Sequence, residues 1–118
     1  MSILFYSYPK CGTCRKAKKW LDDQNVSYEE IHIVESPPTK EQLASYYQNS
    51  GIELKKFFNT SGKKYRELGL KDQVNTANEA ELLAILASDG MLIKRPLVTD
   101  GQHVTVGFNE KQFENVWK

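Results

Sequence analysis

The spacing of apolar residues in the first third of the chain predicts a strand, a helix and a second strand. The apolar run at residues 3–8 predicts a buried strand, which Pro9 ends. Residues 28–34 predict the second strand, and a helical crossover at residues 13–24 makes the two strands parallel. The apolar face of this helix repeats at the i, i+3, i+4 spacing and consists of Ala17, Trp20 and Leu21.

The middle of the chain has the end signals of helices. Residues 39–42 fit a capping box that opens a helix, and Gly51 provides its stop. A second capping box at residues 76–79 predicts another helix, which stops near Gly90. Residues 52–75 predict short helical turns whose apolar contacts are Leu54, Phe57, Phe58, Tyr65 and Leu68.

The last third predicts a β-hairpin and a final helix. Residues 96–99 and 103–106 have strand character and flank an Asp100-Gly101 turn signal. Asn109 then caps a helix. The predicted order is therefore βαβ, a group of helices, and ββα, which gives an α/β fold with a central mixed sheet.

Composition and charge limit the function classes. The 118 residues suffice for one core, so we expect a single domain at residues 1–118 with helices inserted at about 39–90. With 16 basic and 15 acidic residues the net charge is +1, which gives no reason to expect nucleic-acid or membrane binding. The sequence has no apolar run of membrane length and no signal peptide, so we expect a cytoplasmic protein, and a monomer.

The only two cysteines, Cys11 and Cys14, lie between the first predicted strand and the first predicted helix. A Cys-x-x-Cys at such a junction indicates a redox motif, and with this order of elements it is typical of a thioredoxin-like fold. A disulfide that closes four residues removes only about 2 kcal/mol of unfolded-chain entropy, so a structural bridge explains the pair poorly. Because the cytoplasm keeps thiols reduced, the pattern favours a catalytic, regulatory or metal-binding pair.

The position of each cysteine predicts its role. Cys11, at the helix entrance, is the predicted nucleophile, and Cys14, most of a turn inside, is the predicted resolving thiol. Lowering the pKa of Cys11 by two units needs about 2.7 kcal/mol, whereas a helix N-terminus usually contributes about 0.3–1 kcal/mol. Backbone N–H groups, starting with Gly12 and Thr13, would supply part of the remainder. Arg15 or a distant arginine would supply the rest.

Two other interpretations of the cysteine pair stay open. The cysteines could be half of a zinc site completed by His32 and His103, although no second ligand pair has metal spacing and both histidines fall in predicted strands. They could also be two inert core residues.

Arg95-Pro96 is the second candidate position. One interpretation is a surface arginine before a proline that starts a strand. The other is a cis peptide bond facing the cysteine loop, with the Arg95 guanidinium near the Cys11 sulfur. The redox motif favours the second, because thiol-redox folds of this type usually place a cis-proline opposite the motif.

Four segments have the motifs of one protein family, namely residues 8–17, 35–39, 65–70 and 93–98. In these segments, and over nearly its whole length, the chain resembles the ArsC/Spx family. The resemblance implies a thioredoxin-like fold and a redox-active centre at Cys11 and Cys14, with Arg95 and Pro96 beside it. We expect no bound cofactor, and an external thiol such as glutathione or thioredoxin as the reductant.

The resemblance to the arsenate reductase branch of this family is partial. That branch uses a cysteine matching Cys11 and several arginines that hold the oxyanion, of which Arg95 matches one. Asn59 and Gly107 stand where two of the others would be. Because two of the three anion-holding arginines are missing, we expect this chain to reduce arsenate inefficiently. That branch also has serine in the place of Cys14.

The Spx branch uses its Cys-x-x-Cys as a redox switch and binds the C-terminal domain of the RNA polymerase α subunit. Gly51 matches a glycine on the polymerase-contacting surface of that branch. The chain ends at Lys118, without the longer charged extension usual in Spx proteins, which favours an enzyme. We therefore expect a thiol–disulfide oxidoreductase acting on a disulfide-containing substrate, with an Spx-like regulator that binds RNA polymerase as the alternative.

Overall fold

The computed structural model describes residues 3–117, and predictions that concern residues 1, 2 and 118 lie outside them. Its strands are β1 (Leu4–Ser7), β2 (Glu29–His32), β3 (Leu97–Thr99) and β4 (Val104–Val106). They form one mixed sheet in the order β2-β1-β3-β4. β1 pairs with β2 in parallel, while the β1–β3 and β3–β4 pairs are antiparallel. The predicted βαβ and ββα order is confirmed.

The helices lie on both faces of this sheet. The first one connects β1 to β2, the next four form the predicted insertion between β2 and β3, and the last follows β4. Among residues 3–117, no helix combines the length and the apolar character needed to cross a membrane. The 3₁₀ turns are Leu54–Phe57 and Gly90–Leu92. The α-helices are α1 (Gly12–Asp23), α2 (Lys40–Ser50), α3 (Lys63–Glu67), α4 (Leu70–Thr76), α5 (Glu79–Ser88) and α6 (Glu110–Trp117).

The sheet separates two apolar cores, because successive side chains of a strand point to opposite faces. Phe5 and Val98 belong to the core that α1 and α6 cover. Tyr6 and Leu97 belong to the core that the inserted helices cover. Burying one such side chain contributes about 1.5–3 kcal/mol, so the end of β1 that leads into the cysteine loop is held from both faces.

The local signals around α2 act as the sequence predicts. The Thr39 hydroxyl accepts a hydrogen bond from the Gln42 amide at 3.1 Å, and the Gln42 side chain accepts one from the Thr39 amide at 2.9 Å. Gly51 ends the helix with a φ of 69°, a conformation that favours glycine. The predicted apolar contacts of the next segment are buried at Leu54, Phe57, Phe58 and Tyr65.

The capping box predicted at residues 76–79 is wrong. Thr76 is the last residue of α4, where its hydroxyl donates to the Asp72 carbonyl at 3.2 Å. Asn78 caps α5 instead, because its side-chain oxygen accepts a hydrogen bond from the Glu81 amide at 2.9 Å. Asparagine is the better N-cap of the two candidates, so the helix begins two residues later than predicted.

Two single residues also depart from the predictions. Leu68 is 51% exposed, because α3 ends at the residue before it and the chain leaves the core there. His103 precedes β4 rather than lying in it. The reason is Asp100, whose carboxylate accepts hydrogen bonds from the amides of Gln102 at 2.9 Å and His103 at 2.7 Å. This carboxylate organises a four-residue loop, residues 100–103, in place of the three residues that the predicted strand ends leave.

Candidate active site

Cys11 occupies the N-cap position of α1, directly after the turn that follows β1. Its Sγ atom accepts a hydrogen bond from the Cys14 amide at 3.3 Å. Its own amide donates to the Tyr8 carbonyl at 3.0 Å, which fixes the loop. An N-cap side chain usually accepts this bond through oxygen. Here the sulfur takes that place and faces the positive end of the helix.

The two thiols, both free, have different surroundings. Cys11 is partly exposed, whereas Cys14 is only 3% exposed. Burial raises the pKa of Cys11, but hydrogen bonds from the Cys14 thiol and amide and the positive charge of Arg95 outweigh it, so this pKa lies below its ordinary value. Burial and the hydrogen bond with Cys11 raise the pKa of Cys14 to about 12. We therefore expect Cys11 to be the better nucleophile of the two at neutral pH.

Arg95 lies beside this loop, and the Arg95–Pro96 bond is cis, as one of the two interpretations predicts. The side chain is half-buried, so Arg95 is not a surface arginine. Its Nη1 donates to the Met91 carbonyl at 3.3 Å, and its guanidinium carbon lies 5.3 Å from the centre of the Tyr8 ring. The Nε atom is buried without a hydrogen-bond partner in the described part of the chain. The guanidinium is thus held near the Cys11 sulfur by contacts that leave its buried Nε donor without a partner in the described residues.

Cys11 and Arg95 open onto a depression of about 610 Å³. Asn59 and Gly107, which stand where the resemblance implies two further arginines, both line it. Those two positions therefore surround the predicted nucleophile, although neither side chain carries a charge. The other lining residues are Thr13, Ser61, Gly62, Lys94, Val106, Phe108 and Asn109.

Lys94 belongs to this site, although the sequence pattern did not indicate it. Neighbouring residues of an extended segment usually point to opposite sides, yet Lys94 and Arg95 both line this depression. The structure shows what makes room for it. Gly107 has a φ of 78°, and a Cβ atom there would lie 2.9 Å from Cε of Lys94. The lysine stem lies across the glycine and brings a second cation to the depression.

Arg15, predicted to assist Cys11, lies elsewhere. Its side chain is exposed and lines a smaller depression of about 210 Å³ together with Cys14 and Glu30. It is not among the groups that shift the pKa of Cys11. The distant arginine, Arg95, takes that place.

Of the remaining predicted residues, Gly12 and Thr13 lie at the cysteine loop, whereas Gly51 lies elsewhere. Thr13 lines the depression of Cys11, and Gly12 is exposed with open space where a Cβ atom would lie. Gly51 lines a separate depression with Tyr47 and Ile52. The polymerase-contacting position implied by the resemblance is thus outside the cysteine site.

The two histidines of the zinc interpretation have other partners. His32 Nδ1 accepts hydrogen bonds from the amides of Val34 at 3.3 Å and Glu35 at 3.2 Å. His103 Nδ1 lies 3.1 Å from the Asp100 carboxylate in the hairpin loop. Over residues 3–117, no group of three or more His, Cys, Asp or Glu side chains is placed to hold a metal ion.

Known proteins similar to this chain include both uncharacterized and regulatory ones. The uncharacterized protein YusI of Bacillus subtilis (strain 168) is 64% identical over 117 residues, 99% of each chain. The global transcriptional regulator Spx of Streptococcus agalactiae serotype V is 30% identical over 112 residues, which are 95% of this chain and 80% of that protein.

A solved structure and a family model agree with these relatives. The crystal structure of a possible arsenate reductase from Streptococcus mutans UA159 superimposes with a TM-score of 0.88 at 46% identity, over 95% of this chain and 97% of that one. This likeness confirms the predicted thioredoxin-like fold. The model of the ArsC family matches residues 6–116. The chain therefore belongs to the ArsC family.

Proposed function

We propose that the protein is a cytoplasmic thiol–disulfide oxidoreductase in which Cys11 attacks and Cys14 resolves. One observation carries the proposal. The partly exposed Cys11 sulfur caps α1, beside Arg95 and 3.3 Å from the amide of the buried Cys14. This arrangement stabilises a thiolate that faces a depression, with a second thiol directly behind it.

In the first step the Cys11 thiolate attacks one sulfur of the substrate disulfide. A bond forms between the two sulfurs, the substrate disulfide breaks, and the departing sulfur leaves as a thiolate that takes a proton from water. No electrons are gained or lost overall at this stage. The Arg95 charge favours the thiolate that starts the step.

The second step depends on Cys14. Burial is the largest cause of its raised pKa and persists, but the hydrogen bond with Cys11 and the charge of the Cys11 thiolate raise this pKa as well. Both effects disappear once the Cys11 sulfur is part of a mixed disulfide. Cys14 then loses its proton more easily, attacks the Cys11 sulfur, and releases the second substrate thiol. The substrate gains two electrons, and the protein is left with a Cys11–Cys14 disulfide.

An external thiol, such as glutathione or thioredoxin, would return the protein to its reduced form by the same exchange. Two glutathione molecules, or the two thiols of one thioredoxin, supply the two electrons and two protons to the Cys11–Cys14 disulfide and are left as a disulfide themselves. The chemistry needs no bound cofactor, because sulfur carries the electrons in each step. A reducing compartment such as the cytoplasm would keep the dithiol form populated.

The experiment that tests this function follows the adduct of oxidised glutathione by intact mass spectrometry. The Cys14→Ser variant should accumulate one glutathione on Cys11, since the resolving thiol is missing. The wild-type protein should pass to the internal disulfide, and the Cys11→Ser variant should stay unmodified over the same time. Preferential modification of the Cys11→Ser variant would reverse the two roles, and equal modification of the two variants would contradict their assignment. No reaction in any of the three proteins would disprove the function.

The likeness to the global transcriptional regulator Spx favours a second candidate function. In it the Cys11–Cys14 pair would control binding of the RNA polymerase α C-terminal domain at the exposed Gly51. The conformation of Gly51 as the end of α2 already accounts for a glycine there. If this function is right, binding of the purified domain should depend on the redox state of the cysteine pair. It should also be lost in a Gly51→Asn variant, in which asparagine keeps the conformation of the helix end and adds a side chain to the surface.

A further inference from the structure

We propose that the disulfide substrate carries an acidic segment next to its reactive sulfur, and that this segment binds in a lysine-lined groove beside Cys11. This inference rests on the proposed function and names the class of its substrate. The class is a peptide or protein disulfide flanked by Asp or Glu residues and apolar side chains.

The lysine groove has a volume of about 600 Å³ and lies between the 3₁₀ turn Leu54–Phe57, helix α4, strand β4 and helix α6. Its lining is partly apolar, with Val74 and Val106 among the contributors, and includes no Asp or Glu. An anion in this groove would therefore meet no like charge from the lining. The cations of the groove are Lys55, Lys56, Lys71 and Lys94.

These four charges are not used to hold the fold together. Lys55 lies 3.5 Å from the Glu53 carboxylate, in a pair whose side chains are 56% and 64% exposed. Lys56, Lys71 and Lys94 form no ion pair within residues 3–117. The whole chain has 16 basic and 15 acidic residues, so the groove is a local concentration of positive charge. Such a concentration attracts an anionic partner.

The lysine groove adjoins the cysteine site. Lys94 and Val106 line both the groove and the depression of Cys11. Lys94 stands at this boundary because its stem lies across Gly107. A polypeptide whose disulfide reaches Cys11 therefore has its neighbouring residues over the groove, and three extended residues span about 10 Å.

The character of the lining favours carboxylates over nucleotides or nucleic acid. Phe58 and Tyr65 are only 1% and 8% exposed, so a base would find no free aromatic face to stack on. The groove has lysines and no arginine, which means that it lacks the fork that grips phosphate at two points. Point charges around apolar side chains suit a peptide in which carboxylates alternate with apolar residues.

Binding without redox chemistry tests this inference directly. Two fluorescent nine-residue peptides are compared by anisotropy with the full-length protein. Both have serine at the centre in place of cysteine and leucines nearby, and they differ only in carrying three Glu or three Gln residues. The Glu peptide should bind about tenfold more tightly at low salt, which corresponds to about 1.4 kcal/mol. The difference should shrink as salt rises and screens the charges.

A matched pair of variants locates the site. Lys71 and Lys40 are both exposed and lie in the first turn of a helix, so glutamate suits both positions equally. Lys71→Glu should remove most of the preference for the Glu peptide, whereas Lys40→Glu should keep it. Equal affinities for the Glu and Gln peptides, or a preference that survives Lys71→Glu, would overturn the inference.

Two further arms separate this inference from the proposed function. In the first arm, ATP or an oligonucleotide competes with the labelled Glu peptide. If either displaces it at a lower concentration than the unlabelled Glu peptide does, the groove binds phosphates and the inference is overturned. In the second arm, cysteine replaces the central serine and the peptides are offered as disulfides. Reduction of the Glu and Gln peptide disulfides at equal rates would overturn this inference but not the proposed function. Tight binding of the Glu peptide without any reduction would overturn the proposed function and leave the acidic preference of the groove.

Discussion

Cys11 and Cys14 have the same chemistry in an unfolded chain and opposite surroundings in the folded one. Cys11 accepts the Cys14 amide at the start of α1 and faces Arg95, whereas Cys14 lies in the interior of the first turn. The burial that keeps Cys14 protonated also keeps it away from solvent while it remains next to the Cys11 sulfur. A difference in reactivity between the two thiols should therefore be measurable before any substrate is known.

We predict that iodoacetamide alkylates Cys11 much faster than Cys14. The rate for the Cys14→Ser variant should rise with pH through a midpoint below about 8.5, the ordinary pKa of a free cysteine. The rate for the Cys11→Ser variant should stay low at neutral pH, because burial raises the pKa of Cys14. A faster Cys14, or a Cys11 midpoint above that of free cysteine, would contradict the assignment.

Arg95 should account for part of this difference. We predict that Arg95→Ala raises the pKa of Cys11, because the guanidinium charge is one of the causes that lower it. Arg95→Lys should recover part of the shift, since lysine restores the charge but not the fork. The measurement is again the alkylation rate against pH. Arg66→Ala is a control, because Arg66 is exposed and its side chain, among residues 3–117, donates to the Ser61 carbonyl alone, at 2.9 Å. A midpoint that is unchanged in Arg95→Ala would disprove the role.

The residues of the site differ in how far the sequence identifies them. Cys11 and Cys14 form a local pattern, so their spacing alone indicates the N-terminus of a helix and the thiol chemistry. Arg95 follows from the adjacent proline and the redox context. Lys94 could not be predicted, because its position depends on the space left by Gly107, which is 13 residues away in sequence.

At the scale of elements, the sequence predicts type better than boundary. Thr39 and Gly51 bound α2 as predicted, because no competing residue is near. Thr76 and Asn78 compete for the same helix start, and the stronger cap decides between them. A single carboxylate, that of Asp100, likewise lengthens the hairpin loop. Short elements are therefore set by side-chain hydrogen bonds that a pattern of apolar residues does not contain.

The 3₁₀ turn Gly90–Leu92 gives a prediction at this scale. A Cβ atom at Gly90 would overlap the carbonyl oxygen of Ile33 and lie 3.1 Å from Cα of Val34. Both atoms belong to the backbone, so neither can rotate away. We predict that Gly90→Ala lowers the free energy of unfolding by about 1–3 kcal/mol, as overpacking usually does.

Urea unfolding checks this prediction, and Gly12→Ala is its matched control. Gly12 has no atom within 4 Å of the position of an added Cβ, and it lies in the first turn of α1. The control should be neutral or up to about 1 kcal/mol more stable, since alanine favours a helix over glycine. Equal stability of the two variants would mean that the backbone at Gly90 yields to the added atom.

On the scale of the whole molecule, the sheet fixes β1 between two cores, and the site forms where the chain leaves it. The loop after β1 supplies Cys11, the approach to β3 supplies Arg95, and the loop after β4 supplies Gly107. The inserted helical segment supplies Asn59 from the far side. The ArsC family fold therefore brings these positions together around Cys11, and we expect the side chains there to decide which substrate the protein accepts.

We predict that the protein catalyses thiol–disulfide exchange but reduces arsenate poorly. Arsenate is an anion at neutral pH, and placing it about 4 Å from a thiolate costs about 4 kcal/mol at an effective dielectric of 20. Bidentate arginines offset such repulsion best. Asn59 and Gly107 offer no charge, and Lys94 adds only a point charge to that of Arg95. A neutral disulfide brings no second charge to Cys11, so the same site can attack it.

Assays coupled to glutathione or thioredoxin should therefore show turnover with a peptide disulfide and little with arsenate. The variant Asn59→Arg, which places a guanidinium in the depression of Cys11, should raise arsenate reduction. Exchange with an uncharged peptide disulfide should change much less in the same variant, because an uncharged substrate gains little from the added charge. Gly107→Arg is unsuitable for this purpose, since Gly107 has a φ of 78° and its space is taken by Lys94. Rapid arsenate turnover by the wild-type protein, undiminished in Cys14→Ser, would show that Arg95, Lys94 and the helix N-terminus offset the repulsion unaided.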